Sequence, residues 1–155
     1  MTPASSATTP ARSDEYGCAR AWAALTAAHG RVAERLGTEL ADHCGMGITD
    51  FEILLRLDSE PPPGLRLGEL SSAVRLTQPS LSRAAARLAR RGWLSRADAP
   101  GDRRGVLIAI TPAGRQALRR AVPVHARTIR EFLLDPLTPG EQDLLARALS
   151  RVADA

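Results

Sequence analysis

Two short runs of side chains carry the chemistry legible in this sequence. Thr77-Gln78-Pro79-Ser80-Leu81-Ser82-Arg83 sets short hydroxyl and amide groups beside a guanidinium fork. Those are the donors and acceptors that read base edges and grip phosphate oxygens. Asp102-Arg103-Arg104 gathers three charges within a turn running from Asp98 to Gly105. The first run needs a helix to position it. Thr77 is placed to cap one, and Pro79 falls in its first turn, where a missing N–H costs nothing. Leu81, Ala85 and Leu88 recur at helical spacing and face a core, which leaves Gln78, Ser80, Ser82, Arg83 and Arg87 largely outside.

The surrounding residues supply the frame. Leu67, Leu70 and Val74 form the inner face of a short support helix, joined to the next through Arg75-Leu76. Gly92 ends the second helix. Trp93-Leu94-Ser95-Arg96 leads into a strand, and Val106-Leu107-Ile108-Ala109-Ile110 returns after the charged turn. From Leu65 to Ile110 the chain therefore reads as helix, tight turn, helix and a two-stranded hairpin with a basic tip, a winged helix-turn-helix.

The run Leu88-Ala89-Arg90-Arg91-Gly92-Trp93-Leu94-Ser95-Arg96, then Asp98, Asp102-Arg103-Arg104 and Leu107-Ile108-Ala109-Ile110-Thr111-Pro112-Ala113-Gly114, resembles the signature of the MarR family of bacterial transcriptional regulators. The similarity holds in order and spacing from about Trp22 to about Val152. It implies a homodimer that binds double-stranded DNA and often answers to a small-molecule or redox effector. The matched Asp102 and Arg104 resemble a carboxylate orienting a guanidinium that enters a minor groove. By the same analogy an effector would bind between the dimerisation helices and the DNA-reading unit, near Trp22, His29 and Phe51.

Charge supports a polyanionic partner. Every basic side chain is Arg, and the net charge is +4. Residues 75–104 hold eight arginines against two aspartates, whereas the remainder holds thirteen against fifteen carboxylates. Positive charge confined to one element is an electrostatic footprint for nucleic acid. A length of 155 residues fits one domain, and with aromatics at 3% the core must be built from Leu, Ala, Val and Ile. No apolar run approaches a membrane span and no signal peptide is legible, so a cytoplasmic location is expected.

Residues 1–13, rich in Ala, Ser, Thr and Pro, are expected to be a disordered tail. A long helix should follow from Glu15 to Cys44, with Cys18, Trp22, Leu25, His29, Val32, Leu36, Leu40 and Cys44 on one apolar face. Thr49 and Glu52 read as a capping box and Ile48 with Ile53 as a staple, with Phe51, Leu54, Leu55 and Leu57 supplying core. Pro61-Pro62-Pro63-Gly64 is a stiff spacer. Thr111 and Pro112 start another helix that Pro123 should kink, and Thr138 and Glu141 box the last one. The first and last helices are more apolar than one small unit can bury, which points to a dimer interface.

The remaining reactive residues have simpler explanations. Two cysteines at opposite ends of one helix would lie roughly 39 Å apart, too far for an intrachain disulfide. Both fall on the apolar stripe, so buried structural thiols are preferred to a peroxide sensor at Cys18. A zinc site would need His43, Cys44 and His125 to converge across a dimer, and no i, i+4 His pair exists. No phosphate loop, nucleophile elbow or catalytic carboxylate pair appears, so no catalytic residue, metal or cofactor is expected. A winged helix serving as a protein-interaction module is the alternative. A regulator of this fold answering to redox or zinc is another.

The expected architecture is mainly α with a small β-hairpin wing: a tail (1–13), an N-terminal dimerisation helix (14–47), a winged helix-turn-helix (48–110) and C-terminal dimerisation helices (111–155). The expected DNA contacts are Thr77, Gln78, Pro79, Ser80, Ser82, Arg83 and Arg87 on the second helix and Asp102, Arg103 and Arg104 on the wing. The expected partner is an inverted-repeat operator, and repression the expected outcome.

Overall fold

The computed structural model describes residues 11–99 and 102–154; the side chains of 11–15, 99 and 102–104 fall outside that description. Of the tail expected to be disordered over residues 1–13, residues 1–10 lie outside the described residues, and 11–13 are already helical, the helix beginning at Ala11.

Helix α1 spans Ala11–Cys44. Only its C-terminal end packs into the body of the chain, through Leu36 and Leu40, chiefly against the helix that follows the wing. Residues 18–31 are exposed throughout, and Trp22 is 68% exposed. The apolar stripe predicted along α1 therefore continues past anything one chain can cover.

Helix α2 spans Ile48–Asp58. Its cap lies two residues before the one predicted. Gly47 is the N-cap in an extended conformation, and its N–H donates to Oδ2 of Asp50 at 3.3 Å. Thr49 and Glu52 offer the same spacing, but Asp50 prevails because its buried carboxylate also gains a cationic partner, Arg87, on a later helix. The register buries Phe51, Ile53, Leu54 and Leu57 and leaves Leu55 48% exposed, so the core role expected of Leu55 belongs to Ile53.

A two-residue strand, β1 (Leu65–Arg66), was not anticipated; it adds a third strand to the expected hairpin. Gly64 makes it fit. At φ +101°, a Cβ there would meet the Ile108 carbonyl oxygen at 2.2 Å, so only glycine admits the close approach. Helix α3 (Leu67–Ala73) follows, with Leu70 fully buried. The turn to the next helix holds Arg75 at φ 52° and is closed by Leu76 N–H to Ser71 O and by Ser71 Oγ to Leu76 O.

Helix α4 (Gln78–Arg90) starts at the predicted cap, Thr77, and buries Leu81, Ala84, Ala85 and Leu88. Gly92 turns the chain at φ +73°. Strands β2 (Leu94–Ala99) and β3 (Asp102–Ile110) pair antiparallel from Leu94↔Ile110 to Asp98↔Val106, with an irregularity between Asp98 and Ala99. Sheet order is β1-β3-β2.

Helix α5 (Pro112–Ile129) begins at Thr111, whose N–H donates to Trp93 O and whose hydroxyl donates to Gly92 O. Pro123 sits inside α5 without ending it. Regular α geometry gives way at a π-helical turn, Arg130–Leu134. Helix α6 (Pro139–Ala153) carries the predicted Thr138–Glu141 box and has no buried residue. The core lies between α2, α3, α4, the sheet, the end of α1 and the first turns of α5.

Candidate nucleic-acid interface

The first turn of α4 organises its own polar groups. Thr77 Oγ1 accepts from Ser80 N–H and donates to Ser80 Oγ at 3.0 Å. Arg83 Nη2 donates to the same Ser80 Oγ at 3.2 Å. Thr77, Ser80 and Arg83 thus form a chain along one exposed face of the helix. Pro79 and Gln78 are exposed beside it and Ser82 is half-buried. Gln78 is turned toward α3: a Cβ on Gly68 would lie 3.6 Å from its Nε2.

Arg87 lies on the outer side of the helix as expected, but its guanidinium also turns back to a partner within the fold. Its Nη2 lies 2.5 Å from Oδ1 of Asp50, whose side chain is only 6% exposed. One turn on, Arg91 Nη1 donates to the Gly45 carbonyl at 2.7 Å, and its guanidinium lies 3.6 Å above the Trp93 ring. Part of the positive charge counted in residues 75–104 is therefore spent within the fold. Asp50 was missed because its signal, a carboxylate three residues after a glycine, competes with the more familiar Thr49–Glu52 spacing.

The described strands of the wing, β2 and β3, lie next to this helix, with β2 packed against it. Asp102 pairs with Ala99 through the backbone. The side chains of Asp102, Arg103 and Arg104 lie outside the described residues.

Gly114 explains the Thr-Pro-Ala-Gly run. A Cβ there would stand 2.2 Å from the Trp93 carbonyl oxygen and 2.9 Å from Ile110 Cγ1. The run is a docking joint that seats α5 on the base of the wing.

The three residues expected around an effector do not meet in one chain. Phe51 is buried and stacks on His125 with ring centroids 4.5 Å apart. Trp22 and His29 are on the exposed half of α1, and Trp22 is roughly 27 Å along the helix axis from core residue Leu40. An open groove of about 650 Å³ lies elsewhere, between α1 and the π-helical turn. There Arg35 sits 4.7 Å from the centre of the Phe132 ring.

The histidines and cysteines are likewise dispersed. His43 Nε2 lies 3.4 Å from Glu39 Oε2, which also accepts from Arg127 Nη2 at 3.1 Å. Among the described residues no three metal-ligating side chains cluster. Cys44 is partly buried with Sγ 3.9 Å from Arg120 O, and burial pushes its thiol pKa up against a smaller opposing pull from Arg120. Cys18 is exposed, which corrects its expected burial. Among the described residues, its stretch of α1 is exposed throughout. Among the described residues no helix is long and apolar enough to cross a membrane.

Known proteins share this arrangement. The MarR family model matches residues 44–105, from the end of α1 through the wing. The transcriptional repressor MprA of Escherichia coli strain K12 is 30% identical over 101 residues, covering 65% of this chain; the match spans 57% of that repressor's length. Among solved structures, Sco3205, a MarR family transcriptional regulator from Streptomyces coelicolor in complex with DNA, superposes with a TM-score of 0.78 at 33% identity. That match covers 86% of this chain and 87% of Sco3205. The PcaV transcriptional regulator from Streptomyces coelicolor, in complex with its natural ligand, gives 0.69 at 29% identity, covering 100% of this chain and 99% of PcaV. With the helix-turn-helix, the paired strands and the Gly114 joint in place beside these matches, the chain belongs to the MarR family of DNA-binding transcriptional regulators, which are transcription factors and not enzymes.

Proposed function

We propose that the protein acts in the cytoplasm as a homodimeric repressor on an inverted-repeat operator. Each α4 enters a major groove and each wing a flanking minor groove, with the two α4 helices roughly 34–36 Å apart. The observation that carries this reading is the Thr77–Ser80–Arg83 chain. It presents a guanidinium, held by a neighbouring hydroxyl, on the exposed face of a helix whose opposite face is fully buried. Thr77, Gln78, Ser80, Ser82 and Arg83 are the proposed groove contacts on α4, with Pro79 shaping its first turn. Asp102, Arg103 and Arg104 are the proposed wing contacts. Dimerisation is supported by the uncovered apolar residues Trp22, Leu25, Leu144, Leu149 and Val152 on α1 and α6. A small-molecule effector is proposed for the assembled dimer, since PcaV is a ligand complex and the half of α1 bearing Trp22 and His29 is uncovered in one chain.

Selection of duplexes from a random library, followed by salt titration of the winners, tests the reading. An enriched inverted repeat should bind far more tightly than random duplex, with log affinity falling linearly in log salt. Indifference to sequence, or binding unmoved by salt, would overturn it.

A further inference from the structure

Arg87 in the last turn of α4 and Arg91, its C-cap residue, stand four residues apart and so share one flank of the helix. Both reach back to the same short stretch, the link between α1 and α2. Arg87 bonds Oδ1 of Asp50 while the other oxygen of that carboxylate caps α2 through Gly47. Arg91 bonds the carbonyl of Gly45, the residue that ends α1 at φ +63°, and covers Trp93 at the foot of the wing. Two guanidinium groups thus tie the reading helix to the joint where the long α1 gives way to the DNA-reading unit.

We infer that Arg87 and Arg91 are positioning residues that latch α4 to the α1–α2 junction, and that Asp50 is the anchor of that latch. The inference rests on the reading that α4 enters DNA, and it reassigns Arg87 from contact to support. The physical choice is between two acceptors for Arg87. A nearly buried carboxylate has no solvent to replace a lost partner, so swinging Arg87 out to a phosphate leaves an unpaired charge behind. A phosphate contact at the surface is screened and returns less. The bond to Asp50 wins. Because α1 carries uncovered apolar surface proposed to meet a second copy, the latch fixes the tilt of each α4 relative to the dimer. It thereby sets the spacing between the two reading helices.

Asp50→Asn separates this from a contact role by sign. The change keeps an acceptor oxygen for Gly47 or for Arg87 but not for both, because the amide nitrogen donates. It also removes one negative charge, so bulk electrostatics alone would tighten DNA binding. The latch predicts the reverse: operator affinity falls on the order of tenfold with an unchanged salt slope. The variant should also discriminate less against operators whose half-sites are moved apart by one base pair. Arg91→Ala, an exposed position that leaves the core intact, should relax the same spacing preference and serves if Asp50→Asn folds poorly by circular dichroism. Arg87→Gln should leave the salt slope unaltered, whereas loss of a phosphate contact lowers it by about 0.9. Unchanged or tighter operator binding with wild-type spacing discrimination in Asp50→Asn and Arg91→Ala overturns the latch. A slope lowered in Arg87→Gln does the same. The DNA reading is judged separately, by Arg83→Ala on the same duplexes: if neither wild type nor this variant distinguishes operator from random DNA, that reading falls first.

Discussion

Arg83 Nη2 lies 3.2 Å from Oγ of Ser80, a residue that is itself bonded to the helix cap Thr77. A long side chain held this way loses less freedom when it meets a base than a free one does. Arg83→Ala should therefore weaken operator binding more than binding to random duplex, with a loss of about 1–3 kcal/mol if Arg83 reads a guanine. Ser80→Ala should reproduce part of that loss. Competition binding with both duplexes decides it, and equal losses on the two would make Arg83 a backbone contact.

The wing calls for a different measurement. Narrow A·T-rich minor grooves concentrate negative potential and favour an inserted arginine. Arg104→Ala should cost most on operators with A·T-rich flanks, and Asp102→Ala nearly as much. If the pair acts as a unit, the double variant should cost little more than either. Additive losses that ignore flank sequence would reduce the wing to a phosphate clamp.

Gly114→Ala should destabilise the fold by about 1–3 kcal/mol or more, since the new methyl has the Trp93 carbonyl and Ile110 in its way. The thermal midpoint reports it. A variant as stable as wild type would mean that α5 can lift from the wing without cost.

Removing residues 137–155 should give a monomer. Helix α6 has no buried residue in one chain, and Leu144, Leu149 and Val152, the last 73% exposed, lie along it. Light scattering checks the mass, and a truncated chain that stays dimeric contradicts the assignment of α6 to the interface.

His125 stacks on Phe51, and burial lowers its pKa below the ordinary 6.5. The folded state therefore disfavours the proton, so this contribution to stability is complete above the unfolded pKa. It is lost as pH falls from about 6.5 through the lowered folded value. Chemical denaturation across that range should show the midpoint dropping on the acid side, and His125→Phe should flatten that segment of the curve. A profile identical in the two proteins would clear His125 of the role.

Much of the frame was legible because its signals are local. Thr77, Thr111 and Thr138 cap the helices they were expected to cap, and Leu81, Ala85 and Leu88 mark the buried face of α4 from spacing alone. What escaped depends on partners distant in sequence. The cap at Gly47 prevails over Thr49 because Asp50 meets Arg87, 37 positions later. Strand β1 is two residues long and forms only where Ile108 and Leu107 lie ready to pair with it. Trp22 and Cys18 follow the helical stripe faithfully, but a stripe does not say which molecule covers it.

The joint at Gly114 couples distances as well as surfaces. Helix α5 is anchored at one end on Gly92 and Trp93 beside the wing and lies against α1 further along. As a rod of 18 residues it is about 27 Å long, so a tilt of about 5° at the anchored end sweeps the far end through roughly 2 Å. That is comparable to the helix shifts by which subunit interfaces rearrange. Any change in the angle of the wing would thus reach the α1 end of α5 by leverage along a single element, without a chain of side-chain rearrangements between.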